Sequence, residues 1–296
     1  MSLILLLNIF FASTFIIGKA VLNYSSPIFF IAVRMLLAGF LLLFYQIVIK
    51  KKKLNLNKIE FIELLWLSII YIYIPFIFEF WALQYISPAK TALLYSLTPF
   101  FTAIFSYHII KERLSLKKII GLILGIIGFF PTFIPWNLLK ELNLSSFLLV
   151  ELPEFALLIS VISAAYAWIY IQSTIKKQIH SYITINGISM FLGGFLALLT
   201  SIIFETWNPL PIYDFKNFAL LTVLMIIVGN ILSYNLYGYL LHKYTATYLA
   251  FTGFTIPLFT AIMEWIAFKE VIHSDFIISS IIVFVGLYIF HQDELR

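Results

Sequence analysis

Long apolar segments and short polar segments alternate along the whole chain. Each apolar segment holds about 20 residues, the length that an α-helix needs to cross the hydrocarbon core of a bilayer. Proline, asparagine, serine and charged residues are concentrated in the short segments between them, as in YISP at 85–88 and KERLSLKK at 111–118. The pattern predicts ten spanning helices, over 2–22, 27–49, 61–83, 88–110, 116–135, 154–175, 182–204, 216–240, 245–267 and 273–291.

The longest interruption, WNLLKELNLSSFLLVELP at 136–153, has a mixed composition and falls between the fifth and sixth predicted helices. We interpret it as a linker, or as a short helix that lies in the membrane interface. It divides the chain into a first unit of five helices over 1–135 and a second over 154–296. The first 22 residues lack a basic start and an A-x-A-like cleavage site, so they predict an uncleaved first helix rather than a signal peptide.

Composition agrees with this pattern. The chain is 62% hydrophobic and only 11% charged, so too few polar residues remain to cover the surface of a water-soluble fold of 296 residues. Its class is therefore that of an integral membrane protein, in contact with a lipid bilayer. The chain has no cysteine, which excludes disulfides, thiolate metal sites and a thiol nucleophile.

The distribution of positive charge predicts the orientation. Ten helices place both termini on one side, and most of the 19 Lys and Arg residues fall on that side. The opposite side receives only Lys19, Arg34, Lys90, Lys140, Lys216 and Lys269. By the positive-inside rule, both termini are cytoplasmic, in the inner membrane of a bacterium. The net charge of +5 is thereby explained by topology, and nucleic-acid binding has no support.

Two apolar stretches repeat at a fixed offset of 158 positions. SLTPFFTAIFSYHIIKE at 96–112 returns as FTIPLFTAIMEWIAFKE at 254–270. The positions identical at that offset are Pro99, Phe101, Thr102, Ala103, Ile104, Lys111 and Glu112. The two halves are therefore predicted to be repeats of five helices each. Because five is odd, the second repeat enters the membrane from the other side, and inverted repeats are typical of secondary transporters.

Pro99 and Pro257 occupy equivalent positions of this repeat, in the middle of predicted helices 4 and 9. Each removes a backbone hydrogen bond and frees a carbonyl that has to face protein or a wet cavity. We interpret the two prolines as hinges beside a cavity. The alternative is that proline is simply more frequent in spanning helices than in soluble ones.

The chain resembles the EamA-type members of the drug/metabolite transporter superfamily over nearly its whole length. The resemblance rests on FASTFIIGKAVL, PIFFIAVRMLLAGFLLL, ALQYISPAKTALLYSLTPFFTAIFSYHIIKERLSLKKIIGLILGIIG and TYLAFTGFTIPLFTAIMEWIAFKE. It implies two EamA domains, alternating access, and a central cavity lined mainly by helices 1, 3, 4, 6, 8 and 9. It says little about substrate, because Glu79 and Glu264 stand where the family is usually apolar or small.

Glu79, in PFIFEFWAL, is the strongest candidate for a binding residue, because an intramembrane carboxylate is expensive and is functional by default. It is predicted to bind a positive group of the substrate or a coupling proton. The alternative is a structural ion pair with Lys19, Arg34 or Lys90. At the offset of 158, Tyr237 is equivalent to Glu79, and Asn230, Tyr234 and Tyr237 share one face of helix 8.

Further polar side chains fall on helix faces that the repeat directs inward. Tyrosine is ordinarily an interface residue, but several at mid-helix favour a cavity wall that suits planar rings and cations. Lys19 is predicted either to snorkel to the outer surface or to bind a substrate carboxylate, and Glu264 either to pair with Lys269 or to bind substrate. The remaining candidates are Ser13, Tyr95, Tyr166 and Tyr170.

Other classes of function have weaker support. The chain has no H-E-x-x-H or G-x-S-x-G motif and no Walker motif, so neither an intramembrane enzyme nor direct coupling to ATP is indicated, and no cofactor or metal is expected. A channel lacks a pore-loop signature. The predicted substrate is a small amine-bearing or cationic metabolite with a planar ring, such as S-adenosylmethionine, taken up or exchanged with a coupling proton or counter-substrate. The runner-up is an exporter of amino acids.

Overall fold

A computed structural model describes residues 2–51, 56–109, 111, 115–133, 152–176, 181–270 and 274–291. Throughout these ranges the protein is helical, with one isolated bridge between Ser25 and Ile212 and no strand. The helices, numbered in chain order, are α1 Ser2–Val21, α2 Pro27–Ile49, α3 Lys58–Leu83, α4 Pro88–Ile109, α5 Leu116–Phe133, α6 Leu152–Lys176, α7 Tyr182–Phe204, α8 Phe215–Leu240, α9 Ala246–Phe268 and α10 Ser274–His291.

Within the described residues, eight helices, α1–α4 and α6–α9, are long and apolar enough to cross a membrane. The segments predicted as the fifth and tenth spans, α5 and α10, are each helical over 18 residues and pack along one another. Most of the predicted linker lies outside the described residues, and its last two positions, Leu152 and Pro153, already belong to α6. The all-helical membrane fold is confirmed to that extent, whereas the count of ten spans and the inverted repeat stay predictions.

The helix starts are fixed by side chains that satisfy free backbone N–H groups, a strict requirement in lipid. α3 starts three residues earlier than predicted because Asn57 and Glu60 form a capping box. The carboxylate of Glu205 accepts hydrogen bonds from the amides of Ile28 and Phe29, at 2.8 and 2.7 Å, and so caps α2. The second of these caps joins two parts of the chain that are far apart in the sequence.

The helices of the first half pack against those of the second half. α2 packs along α7, α3 against α6, α1 against α8, and α4 against α9. The contact between α2 and α7 depends on glycines: a Cβ atom at Gly39 would lie 2.5 Å from the backbone nitrogen of Phe191, and one at Gly194 would lie 2.7 Å from that of Leu36. Small residues of this kind allow membrane helices to approach closely.

Four helices that surround the centre are interrupted. α3 contains a π-helical segment, Ile69–Tyr73, and α8 contains another, Ile226–Ser233. α4 is broken between its segments Pro88–Tyr95 and Thr98–Ile109, and α9 has a 3-10 turn, Gly253–Thr255, before Ile256–Phe268. A shift of 158 positions superimposes the π segment of α3 on that of α8, and the break in α4 on the turn in α9.

Side chains compensate for the interruption in α3. The Ile74 amide bonds the Ile69 carbonyl, and in this i to i+5 pattern the Ile70 carbonyl would need a proton from residue 75, which is proline. The hydroxyl of Ser163 on α6 donates to that carbonyl instead, at 2.7 Å. A side chain also compensates for the break in α4: the Thr98 hydroxyl donates to the Tyr95 carbonyl, which lacks a backbone donor because residue 99 is proline.

Candidate substrate-binding cavity

The interrupted helices surround a central cavity of about 1090 Å³, its opening included. Side chains from α1, α3, α4, α6, α8 and α9 line it, and α2 adds Arg34. Five of the residues predicted from the sequence lie on its wall: Glu79, Tyr95, Asn230, Tyr234 and Tyr237. The cavity is therefore the candidate functional site.

Glu79 is 7% exposed and lies on the α3 wall. Its Oε2 accepts a hydrogen bond of 2.6 Å from the hydroxyl of Tyr95, on α4. The same hydroxyl lies 2.6 Å from Ser160 Oγ on α6, which donates at 2.8 Å to the carbonyl of Pro75. The carboxylate is thus held at a point where α3, α4 and α6 meet.

The structural ion pairs considered for Glu79 are not formed among the described residues. Lys90 pairs with Glu154 instead. The Lys19 ammonium donates to carbonyls at the end of α3, including that of Leu83 at 2.7 Å. Arg34 makes no contact with Glu79 within ion-pair distance in the part of the chain that the structure describes. The hydrogen-bond partner of Glu79 is a neutral phenol, which leaves its charge available.

Arg34 is 2% exposed and was not predicted as a site residue. Its guanidinium lies over three aromatic rings, 4.3 Å from the centroid of Phe76, 4.6 Å from that of Phe80 and 5.2 Å from that of Phe30. Its Nε and Nη2 have no hydrogen-bond partner among the described residues. The rings stabilise the cation, but they leave the N–H donors of these two nitrogens unused.

Six aromatic side chains form a wall that we call the aromatic cluster, consisting of Phe11, Tyr71, Phe76, Trp168, Tyr234 and Tyr237. Trp168 and Tyr237 have ring centroids 3.8 Å apart, at 37°. Tyr71 lies 4.9 Å from Trp168 and 5.4 Å from Tyr234, and Tyr234 lies 6.2 Å from Phe76. Such a wall offers π faces to a planar ring or to a cation.

A layer of amide groups orients this wall. The Tyr71 hydroxyl donates to Asn186 Oδ1 at 3.1 Å, and Asn186 Nδ2 donates to Asn235 Oδ1 at 3.1 Å. Asn235 Nδ2 in turn donates to the carbonyl of Ile231, within the π segment of α8. The position of Tyr71 on α3 is thereby connected to the backbone of α8.

Asparagines also reach the cavity from α8 and α1. Asn230 Nδ2 donates to the sulfur of Met35 at 3.0 Å, and its Oδ1 is without a partner among the described residues. Asn8 Nδ2 donates to the carbonyl of Thr252 at 2.6 Å and to the hydroxyl of Thr255 at 3.0 Å. Asn8 therefore connects α1 to the interruption of α9.

Five other predicted residues do not line the cavity. The Ser13 hydroxyl bonds the Phe10 carbonyl of its own helix, and Tyr166 packs edge-on against Phe105, with centroids 5.3 Å apart. Glu264 accepts a hydrogen bond of 2.7 Å from the Ala89 amide and so caps α4. The other two are Tyr170 and Lys19. Binding roles for these five stay predictions, as do the hinge roles of Pro99 and Pro257, which follow directly after the breaks.

The sequence contained a signal for Arg34. A charged residue within an apolar run is the criterion that selected Glu79, and it applies equally to Arg34 in FFIAVRMLL. Tyr71 and Trp168 had no comparable signal, because aromatic residues occur throughout the chain. Only the packing of α3, α6 and α8 brings them together.

Comparison with known proteins agrees with the fold. A family model of the EamA-like transporter family matches residues 1–134 and 152–291, so the chain belongs to that family. It is a multi-pass membrane transporter of the drug/metabolite transporter superfamily, and its function is transport rather than catalysis.

Two relatives are named S-adenosylmethionine/S-adenosylhomocysteine transporter. The protein of Chlamydia muridarum (strain MoPn / Nigg) is 28% identical over 296 residues, which cover 99% of this chain and 92% of the relative. The protein of Chlamydia trachomatis serovar L2 is 27% identical over 295 residues, which cover 99% and 89%. A solved crystal structure superposes with a TM-score of 0.72 at 15% identity, covers 100% of this chain and 99% of its own, and supports the fold alone.

Proposed function

We propose that the protein is a secondary transporter that moves S-adenosylmethionine, or a closely similar cationic metabolite, across the bacterial inner membrane by alternating access. The observation that carries the proposal is the presence of Glu79 and the aromatic cluster in one cavity. The names of the two chlamydial relatives support the same substrate.

The chemistry of this metabolite suits the wall. Its sulfonium and ammonium groups are cations, for which Glu79 supplies an opposite charge in a site largely shielded from water. Its adenine is a planar ring that stacks on aromatic faces, worth about 1–3 kcal/mol per base in other proteins. Trp168, Tyr234 and Tyr237 supply such faces in the same cavity as Glu79.

Alternating access requires two halves that move against each other around the site. α2 packs with α7, α5 with α10 and α4 with α9, and the remaining pairs α1–α8 and α3–α6 are equivalent to each other, which is the pattern expected when a two-fold axis relates two inverted repeats. We therefore extend the proposal to ten spanning helices, with repeats over 1–135 and 154–296 and both termini cytoplasmic. The equivalent interruptions of α3, α8, α4 and α9 are the proposed points of bending, with Pro99 and Pro257 as hinges.

A test uses the purified protein in liposomes. Vesicles loaded with S-adenosylhomocysteine should accumulate labelled S-adenosylmethionine from outside, with saturation and counterflow, because a carrier reorients with substrate bound. Glu79→Gln should abolish this exchange. The matched control Glu63→Gln makes the same chemical change on the exposed surface of α3 and should leave exchange unchanged. Exchange that is absent in the wild type, or equal in Glu79→Gln, contradicts the proposal.

A second variant reports on the ring. Trp168→Leu should weaken S-adenosylmethionine about tenfold, the loss expected from one stacking contact. The control Trp66→Leu makes the same change at an indole that is 51% exposed and does not line the cavity. An equal effect of both variants would mean that the aromatic cluster does not hold the adenine.

The alternative is an exporter of amino acids, because Glu79 and the aromatic cluster also suit the ammonium group and ring of an aromatic amino acid. Competition separates the two functions. Phenylalanine and tryptophan at a hundredfold excess should leave uptake of S-adenosylmethionine unchanged if the adenosyl group is required. Displacement by either amino acid, together with exchange of labelled phenylalanine, favours the alternative.

A further inference from the structure

The proposed function does not use Arg34, although this side chain lies on the cavity wall and is nearly inaccessible to solvent. A buried guanidinium within a membrane protein is costly unless it is paired. In this structure it has three aromatic rings as neighbours, no ion-pair partner among the described residues, and two nitrogens without an acceptor. The guanidinium of Arg34 could therefore bind an anionic group of a ligand.

We infer that Arg34 binds the α-carboxylate of the substrate and that Glu79 binds a cationic group of the same molecule, so that the transporter requires a free α-carboxylate on its substrate. This inference rests on the proposed function and extends it to the end of the molecule that the aromatic cluster does not recognise.

The positions of the two charged groups support this assignment. Phe76 lies 4.3 Å below the guanidinium of Arg34 and 6.2 Å from the ring of Tyr234, so it joins Arg34 to the aromatic cluster. Glu79 follows Phe76 by three residues on α3 and lies on the same helix face. A donor for the carboxylate, an opposite charge for the cation and a surface for the ring are consequently contiguous along one wall.

Arg34 and Glu79 do not bond each other directly, so both charges are available to a ligand. A closed ion pair would satisfy both residues and would reject a zwitterion. Here Tyr95 holds the Glu79 carboxylate, and the rings of Phe30, Phe76 and Phe80 hold the Arg34 guanidinium. A carboxylate fits the planar fork of a guanidinium, which can donate two parallel hydrogen bonds to it. A zwitterion would neutralise both charges of the site at once.

The test compares ligands that differ only in the carboxylate. The pair for the proposed substrate is S-adenosylmethionine and decarboxylated S-adenosylmethionine, and the pair for the alternative function is phenylalanine and phenethylamine. Binding to the purified full chain is measured by titration calorimetry. The wild type should bind the carboxylated member of a pair about 10- to 100-fold more tightly, the range for a hydrogen bond to a charged group. In Arg34→Gln this preference should fall to about twofold or less, because the remaining amide has no charge.

The ratio within a pair is measured on one preparation, so a general loss of stability does not imitate the result. Arg34→Lys keeps the charge without the planar fork and should show an intermediate preference. Lys216→Gln, which removes an exposed charge at the start of α8, should keep the wild-type preference. The wild-type measurement needs no variant, and a wild type that binds both members of a pair equally overturns the inference even if Arg34→Gln does not fold.

The two proposals fail in different ways. Exchange of S-adenosylmethionine without any preference for the carboxylate would overturn the role of Arg34 and leave the proposed function in place. A preference for phenylalanine that depends on Arg34, with neither adenosyl ligand bound, would support the role of Arg34 and contradict the proposed substrate. A preference that persists unchanged in Arg34→Gln would overturn the inference.

Discussion

The hydroxyl of Tyr95 lies 2.6 Å from Glu79 Oε2, which joins the last residue of the first α4 segment to the buried carboxylate of α3. The break in α4 follows immediately, and Pro99 starts the second segment together with Thr98. A single hydrogen bond therefore connects the carboxylate to an interrupted helix. We regard this bond as the connection between the candidate site and the proposed hinge at Pro99.

Removing that bond should alter both binding and transport. Tyr95→Phe deletes a donor to a charged acceptor, a contribution of about 1.5–3 kcal/mol. We expect weaker binding of S-adenosylmethionine and slower exchange in liposomes, with the helical content unchanged by circular dichroism. The control Tyr85→Phe removes a hydroxyl from a side chain that is 63% exposed. Wild-type exchange in Tyr95→Phe would show that the bond is dispensable.

The two prolines provide a second test. Pro99→Ala and Pro257→Ala should each fold and should each slow exchange, because a straighter helix favours one access state over the other. Exchange rates and thermal unfolding are measured on the same preparations. If both variants exchange at the wild-type rate, the prolines are ordinary residues of a membrane helix and not hinges.

The π segment of α3 predicts a local effect on stability. Ser163→Ala would leave the Ile70 carbonyl without a proton donor, and an unsatisfied buried polar group costs about 1–3 kcal/mol. Thermal unfolding in detergent should therefore shift to a lower temperature. Ser173→Ala is a matched control on the same helix, since its hydroxyl bonds only the Tyr170 carbonyl of α6 itself. Equal shifts in the two variants would contradict this role of Ser163.

Lys111 and Lys269 are an example of a structural equivalence that the sequence predicts. These residues were matched by their offset of 158 positions, and both adopt left-handed backbone angles, with φ of 62° and 60°. The sequence also predicted the apolar helices, because their length and polar boundaries depend only on local composition. The π segments could not be predicted, since the Ser163 hydroxyl that satisfies α3 comes from 93 residues away.

The candidate site was predicted only in part, and the reason is physical. Glu79 and Tyr237 were selected because charge and helical spacing are visible in a single segment. Arg34 was used only as one of the positive residues that predict the orientation in the membrane. The aromatic rings around its guanidinium come together only when α2 packs against α3. Lys19 shows the converse: its ammonium has acceptors at the end of α3 that no pattern along the chain could have indicated.

The orientation in the membrane is tested by reporter fusions. A periplasm-active reporter fused after Arg296 should be inactive, and one inserted near Asn143 in the linker should be active. The reason is that the predicted topology places five spans before the linker and five after it, with most of the positive residues on the cytoplasmic side. The opposite pattern would contradict both the orientation and the count of ten spans.

The most direct test of the account is the dependence of sulfonium recognition on Glu79. S-adenosylmethionine carries a sulfonium where S-adenosylhomocysteine has a neutral thioether, and the two are otherwise alike in ring and amino-acid end. Titration calorimetry of the wild type, Glu79→Gln and Glu63→Gln measures both affinities. We predict that Glu79→Gln weakens S-adenosylmethionine by about tenfold or more and S-adenosylhomocysteine by about threefold or less, because the ammonium is common to both ligands and only the former has a sulfonium that loses its opposite charge. Equal weakening of both ligands, or of neither, would contradict the account.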